Sequence, residues 1–347
     1  MVKSVLPVAL ITLAGVMQLS AATGLTRYRQ TNLVSNQTGV AHKTDANLVN
    51  AWGLAFFPTS PFWVADAGTG VSTLYKRDGS IVPLVVTIPP PAGSTAVGTP
   101  TGMVANATAD FVDPANSASG PAPFIFDSED GTISAWYPNV SFTQAVRVVD
   151  NSSLGSFYTG LAIGSSKGVN FIYAADTANS RVDMFDKNFK LVTSFTDAAL
   201  PAGYAPFGIQ NIKGKLYVTF AGFFSGNPGG YVDVFNMDGT FVKTFASLGP
   251  LNLPWGLAEA PANFGEFSND LLVGNLGDGT INAFTSGGVF KGALRAANGT
   301  PISIDGLWAL EFGGGNKVNN GLTNELFFTA GPNFYANGLF GLVSAIH

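Results

Sequence analysis

Hydrophobic positions along this chain come in short runs rich in Val, Ile, Phe and Tyr, broken by polar stretches with Gly, Asn and Asp. That is the layout of strands and tight turns; no stretch of a dozen residues carries the three-and-four spacing of an amphipathic helix. The segments NAWGLAFFPTSPFWVADAGTG (50–70) and LPWGLAEAPANFGEFSNDLLVGNLGDG (253–279) follow the same order. Each opens on Trp-Gly-Leu-Ala, crosses a loop, enters an apolar run and closes on a glycine-bearing turn.

The opening motif recurs as Trp52-Gly53-Leu54, Thr101-Gly102-Met103, Thr159-Gly160-Leu161, Phe207-Gly208-Ile209, Trp255-Gly256-Leu257 and Trp308-Ala309-Leu310. Its centres are 49, 58, 48, 48 and 53 residues apart, the period of a repeated supersecondary unit. Every unit then has a second apolar run such as FWVAD (62–66) or LLVGN (271–275), and most have a third such as RVDMFD (181–186). Dipeptides such as Asp78-Gly79 and Asp238-Gly239 then supply the positive φ of a hairpin turn into a fourth run. Four antiparallel strands per unit, six times over, predict an all-β, six-bladed β-propeller. The inner strands read as continuously apolar because stacked blades bury both of their sides, and glycine in the motif permits close approach of backbones at the axis.

The sixth unit has runs at 307–313, 325–331 and 338–346 and no fourth, whereas RYRQTNLVS (27–35) precedes the first unit with no blade of its own. Pairing that N-terminal strand onto the last blade removes two free sheet edges, so it is expected to close the ring. The loop ANATADFVDPANSASGPA (105–122) accounts for the long second spacing and reads as a mobile insertion.

Residues 1–22 have a charged start at Lys3, an apolar stretch from Val5 to Leu19 and small residues at Ser20-Ala21-Ala22. This is the pattern of a secretory signal peptide, and its run of about 15 residues falls short of the roughly 20 of a spanning helix. The expectation is a secreted or periplasmic monomer with one domain over 23–347 and no membrane span after cleavage. A net charge of −5 with 17 Lys plus Arg and no basic cluster argues against nucleic acid as a partner. Cysteine is absent and histidine is limited to His42 and His347. That rules out thiolate chemistry and leaves His42, expected in a loop, as a poor base.

The segments NLVSNQTG, TDANLVNAWGLAF, VADAGTG and PFGIQNIKGKLYVTFA resemble an uncharacterised family of secreted bacterial proteins associated with PEP-CTERM sorting systems. The resemblance covers almost the whole mature chain and implies a propeller. The sequence ends in GLVSAIH, without that system's Pro-Glu-Pro signature, so attachment by that route is not expected. The blades are similar to NHL repeats, FIYAADTANSRVDMFD (171–186) above all. Neither resemblance carries a set of catalytic residues.

Candidate chemistry is sparse. Asp66, Asp127, Asp176, Thr219, Asn275 and Thr329 close the second run of each unit and are expected to cap the following turn through backbone N–H groups. A ligand site should break the repeat instead. Asn47, Asn50 and Asp305, beside the first and sixth inner strands, are the candidate ligand-binding residues, and Asp45, Asp130 and Asp278 are candidate ligands for Ca²⁺. Glu311, on the sixth inner strand, is the one candidate for the glutamate that lactonase-type propellers place at the channel. The favoured reading is a non-catalytic module that binds a ligand or an extracellular macromolecule. Its rivals are a metal-dependent lactonase-like hydrolase and a structural component of the cell surface or matrix.

Overall fold

A computed structural model describes residues 25–346; the signal-peptide segment expected at 1–22 lies outside the described residues. Blade 1 comprises Ala51–Ala55, Phe62–Asp66, Val71–Tyr75 and Ile81–Thr87, and blade 2 Pro100–Ala105, Phe124–Ser128, Thr132–Trp136 and Val146–Asp150. Blade 3 comprises Tyr158–Ser166, Val169–Asp176, Arg181–Asp186 and Leu191–Phe195, and blade 4 Ala205–Ile212, Lys215–Ala221, Tyr231–Asn236 and Phe241–Ser247. Blade 5 has Pro254–Glu259, Leu271–Asn275, Ile281–Phe284 and Phe290–Ala293. Blade 6 takes Leu307–Phe312, Glu325–Ala330 and Leu339–Ile346 from the C-terminal end, and its fourth strand is Arg27–Ser35.

That fourth strand runs antiparallel to the last, from Arg27 opposite Ile346 to Ser35 opposite Leu339. The sequence did not indicate the two-residue strand Lys43–Thr44, which adds to its outer edge in parallel. Closure is reinforced where blade 6 meets blade 1. The buried Asn320 amide donates to the carbonyls of Phe57, Pro58 and Ser60 at 3.0, 3.0 and 3.1 Å. The Arg77 guanidinium pairs with Glu325 across the same junction.

The buried apolar side chains of the described residues fall into six clusters, one between each pair of neighbouring blades, and the one between blades 6 and 1 extends across the axis to Phe207 and Trp255. Blade 3 shows why its strands are apolar without alternation. Ile172 and Ala174 pack towards blade 2, while Tyr173 and Ala175 pack towards blade 4. Both faces of the sheet are core, so the period of two carries no polar face.

The segment between the first two strands of blade 2, expected to be mobile, is pinned. Phe111 is fully buried and packs against Phe189 of blade 3 with ring centres 5.5 Å apart. Its carbonyl accepts from the Tyr137 hydroxyl at 3.2 Å, and Asn106 Nδ2 bridges the loop's two ends through Asp110 O and Ala122 O. One aromatic residue in a polar stretch was the anchor.

Two predictions follow from this packing. Tyr28 of the closing strand is 1% exposed and donates to Phe264 O of blade 5 at 2.9 Å, so it ties the N-terminal strand to a second blade. Tyr28→Ala should lower the unfolding free energy by about 3–5 kcal/mol in a urea titration; a loss under about 1 kcal/mol would show that the strand is an ornament. The second prediction concerns Asp66, Asp127 and Asp233, each fully buried. Burial raises all three carboxyls, those of Asp127 and Asp233 to about 7, against hydrogen bonds from the Thr73 hydroxyl to Asp66 and from the Thr101 hydroxyl to Asp127. The folded state therefore keeps protons that the unfolded chain releases near pH 4, and stability present at low pH is lost as pH rises through about 7. Calorimetry should find the melting temperature falling between about pH 5.5 and pH 8, by an amount equivalent to some 1–2 kcal/mol for each of Asp127 and Asp233. A flat or rising profile would contradict the burial of these acids.

Candidate functional site

Each inner strand enters the ring from the end that carries the links between blades, here the link face. It leaves at the end that carries the first-to-second-strand loops, here the hairpin face. All six inner strands are bulged at the motif. Between Ala51 opposite Asp66 and Leu54 opposite Val64, for example, three steps on the inner strand match two on its partner. The same slip occurs between Pro100 and Met103, Tyr158 and Leu161, Pro206 and Ile209, Pro254 and Leu257, and Leu307 and Leu310. A bulge bends the strand and re-aims the extra side chain. Here it directs Trp52, Phe207, Trp255 and Trp308 into the axis, where all four are buried.

These four rings form the plug of the channel. Trp52 stacks on Trp308 with centroids 3.4 Å apart, and Trp255 and Phe207 meet Trp52 edge-on at 6.0 and 6.3 Å. Trp255 Nε1 donates to Thr159 O at 2.8 Å and Trp308 Nε1 to Asn50 Oδ1 at 3.1 Å. Blades 2 and 3 contribute Thr101 and Thr159, whose hydroxyls bond the carbonyls of Tyr158 and Phe207 on the next blade at 2.8 and 2.7 Å.

Beyond the plug the channel opens on the hairpin face. A ring of Leu54, Met103, Leu161, Ile209, Leu257 and Leu310 lines its neck, and above it lie Gln210 and Glu311. Two recesses of about 290 and 230 Å³ spread from this point, and both are lined by Gln210, Asn211 and Glu311. Phe56, Val104 and Ile163 give the larger one an apolar wall. The smaller is bounded by Lys213 and Glu259, an ion pair at 2.5 Å on the rim. Glu311 receives one hydrogen bond, from Gln210 Nε2 at 3.2 Å. Burial raises its carboxyl to about 7, and that bond offsets only part of the shift.

The residues singled out in the sequence are dispersed. Among the proposed turn caps, Asp176 accepts from the N–H groups of Phe157 and Asn179 at 3.1 and 3.3 Å. Asp66 accepts from the Thr73 hydroxyl at 2.7 Å, and Asn275 donates to Pro250 O at 2.8 Å. Asp127, Thr219 and Thr329 stand one register step earlier, opposite the bulge. Thr219 and Thr329 accept from the N–H of Gly208 and Ala309 at 2.8 and 3.0 Å, and Asp127 Oδ1 accepts from the hydroxyl of Thr101 on the inner strand at 2.8 Å. In these three blades the side chain bonds the inner strand at the bulge, not the turn.

Asp45, Asp130 and Asp278 lie in three separate loops, each turned onto its own backbone. They accept from the N–H of Asn47, Thr132 and Thr280 at 3.0, 3.1 and 2.9 Å. Among the described residues no group of three or more His, Asp or Glu side chains is placed to hold a metal, so the donor set for Ca²⁺ is not assembled. Asn50 supports the plug, the Asn47 carbonyl accepts from the Thr69 hydroxyl, and Asp305 sits on the link face holding the Asn333 N–H at 2.8 Å. His42 is an exposed loop residue. Gln210 is the functional candidate the sequence reading missed. In the repeat the position two after the motif's centre is Ala55, Val104, Ala162, Gln210, Ala258 and Glu311, so its two polar members break the pattern together. Among the described residues no helix is long and apolar enough to cross a membrane.

No family model matches the chain. Several solved propellers share its architecture at low identity. The streptogramin B lyase structure covers 94% of this chain and 100% of its own, with a TM-score of 0.56 at 12% identity. A virginiamycin B lyase from Staphylococcus aureus, solved with quinupristin, covers 92% and 100% with a TM-score of 0.57 at 13% identity. A gluconolactonase from Xanthomonas campestris covers 93% and 91% with a TM-score of 0.56 at 14% identity. Such likeness establishes a fold in common with lactonase- and lyase-type enzymes. Two relatives lie closer in sequence, both from Acanthamoeba polyphaga mimivirus. Uncharacterized protein R648 is 32% identical over 335 residues, covering 92% of this chain and 80% of the relative. Uncharacterized protein L690 is 32% identical over 325 residues, covering 89% and 83%. A shared identity of this extent over the whole ring makes the chain a member of the propeller family to which these mimivirus proteins belong.

Proposed function

We propose that this protein is an exported, non-catalytic binding module that takes a small ligand into the hairpin-face funnel. The observation that carries the reading is the company of Glu311. Its carboxyl meets one partner, Gln210, at the head of an aliphatic neck. Burial against Phe56, Val104 and Ile163 suits the apolar body of a ligand, while Glu311, Gln210 and Asn211 give its polar head donors and acceptors. The bound molecule is compact, because the larger recess holds about 290 Å³, the lower end of ordinary ligand pockets.

One observation favours the rival reading, a hydrolase or lyase: a carboxyl raised to about 7 is suited to proton transfer at neutral pH. The structural neighbours with lactonase and lyase activity make lactones the natural substrates to try.

One pair of probes separates the two readings. δ-Valerolactam, which resists hydrolysis, should bind and weaken by about tenfold in both Glu311→Ala and Gln210→Ala, measured by calorimetry. δ-Valerolactone should survive incubation with the wild-type protein. Lactone hydrolysis that Glu311→Gln abolishes would instead make the protein an enzyme. Lactam affinity unchanged by either alanine variant would remove the funnel as the binding site.

A further inference from the structure

The opposite end of the ring holds a second cavity, of about 200 Å³, between blades 5 and 6. Its walls are Leu253, Leu276, Phe334 and Tyr335, with the Asp305 carboxylate at its edge. Tyr335 rests on the plug, its ring 5.6 Å from that of Trp308. Phe334 is 95% exposed, so no gain in burial within this molecule explains an aromatic side chain at that place.

The backbone there is strained as well. Asn333, Phe334 and Tyr335 are three successive left-handed residues, with φ of 57, 52 and 67°, and Leu253 across the cavity has φ of 50°. Left-handed conformation is unfavourable for bulky side chains and persists where the surroundings impose it. Here the Asp305 carboxylate imposes it, through Oδ2 accepting from Asn333 N–H at 2.8 Å. Bonds from Tyr335 N–H to Gly331 O and from Asn337 N–H to Pro332 O complete the loop. The result is a fixed loop that presents two aromatic rings beside a carboxylate.

Charge on this face is one-sided. The second-to-third-strand turns and the inter-blade links contain Asp45, Glu129, Asp130, Asp197, Asp278 and Asp305, against Lys43 and Arg295. Among the described residues neither Glu129 nor Asp305 takes part in an ion pair. Both act on the Tyr335 ring, whose hydroxyl is raised first by burial and then by these two charges.

We propose that this link-face cavity is a binding site for a small organic ammonium ion. The faces of Phe334 and Tyr335 attract a cation through their ring quadrupoles, Asp305 supplies the counter-charge, and Leu253 and Leu276 meet the alkyl substituents. A bare metal ion does not fit, since one carboxylate amid apolar walls offers too few oxygens. The site is separated from the funnel by the aromatic plug, so this inference stands or falls independently of the function proposed for Glu311.

The test compares choline with 3,3-dimethylbutan-1-ol, a neutral molecule of the same shape, by calorimetry and tryptophan fluorescence at low salt. Choline should bind, and the alcohol should bind at least about tenfold more weakly. Phe334→Ala alters a side chain already in solvent and Asp305→Asn keeps its size; each should weaken choline by about tenfold with the circular dichroism spectrum unchanged. Added salt should weaken choline and leave the alcohol unaffected. The proposal is overturned if choline does not bind at up to about 50 mM, if the alcohol binds as well, or if both variants retain wild-type affinity.

Discussion

Six backbones have to share one axis, and the rest of the molecule is arranged around that constraint. The motif glycines meet it by removing the Cβ that would strike the next blade. A methyl on Gly53 would lie 2.5 Å from Thr101 O, on Gly208 2.2 Å from Trp255 O, and on Gly256 2.4 Å from Trp308 O. Backbone contact at this range leaves space on the axis itself, and the bulges of blades 1, 4, 5 and 6 each turn an aromatic ring into it. Close approach, bulge and plug coincide at Trp52-Gly53, Phe207-Gly208 and Trp255-Gly256. The N–H groups at the bulge then need acceptors, which explains the buried hydroxyls of Thr219 and Thr329.

The plug gives the two ends of the ring different chemistry. A channel open throughout would expose every inner strand to the same solvent, whereas this one is divided. The hairpin face keeps an aliphatic neck with Glu311 and Gln210 at its head. The link face has Tyr335 resting on the plug among acidic loops. Rigid walls and variable loops are what a propeller offers a ligand.

The architecture was legible in the sequence because it repeats. Trp-Gly-Leu and its variants located the inner strands, and the strand at 27–35 without a blade located the closure. The site was less legible for the opposite reason: a site departs from the repeat, and departures show only once register is known. Gln210 and Glu311 hold equivalent positions 101 residues apart in sequence, yet only strand pairing shows that both reach the same mouth. The one-residue offset between Asp66 and Asp127 was invisible for the same reason. Both end an apolar run, but one lies opposite Ala51 and the other opposite the bulge. Phe111 and Phe334 mark a further limit, since each is a phenylalanine in a polar loop, one 0% exposed and the other 95%.

The axis itself can be probed by placing one methyl-bearing side chain at the tightest contact. Gly208→Val puts a branched side chain where Trp255 O already sits 2.2 Å from the ideal Cβ position. Gly287→Ala is the control, because its Cβ would meet nothing nearer than Thr285 Oγ1 at 3.6 Å. Thermal unfolding followed by tryptophan fluorescence should show the control near wild type. The valine variant should lose at least about 3 kcal/mol or fail to fold, with its indoles moved into water. A valine variant that melts with the control and keeps buried indole emission would contradict the claim that backbone contact at the axis holds the ring together.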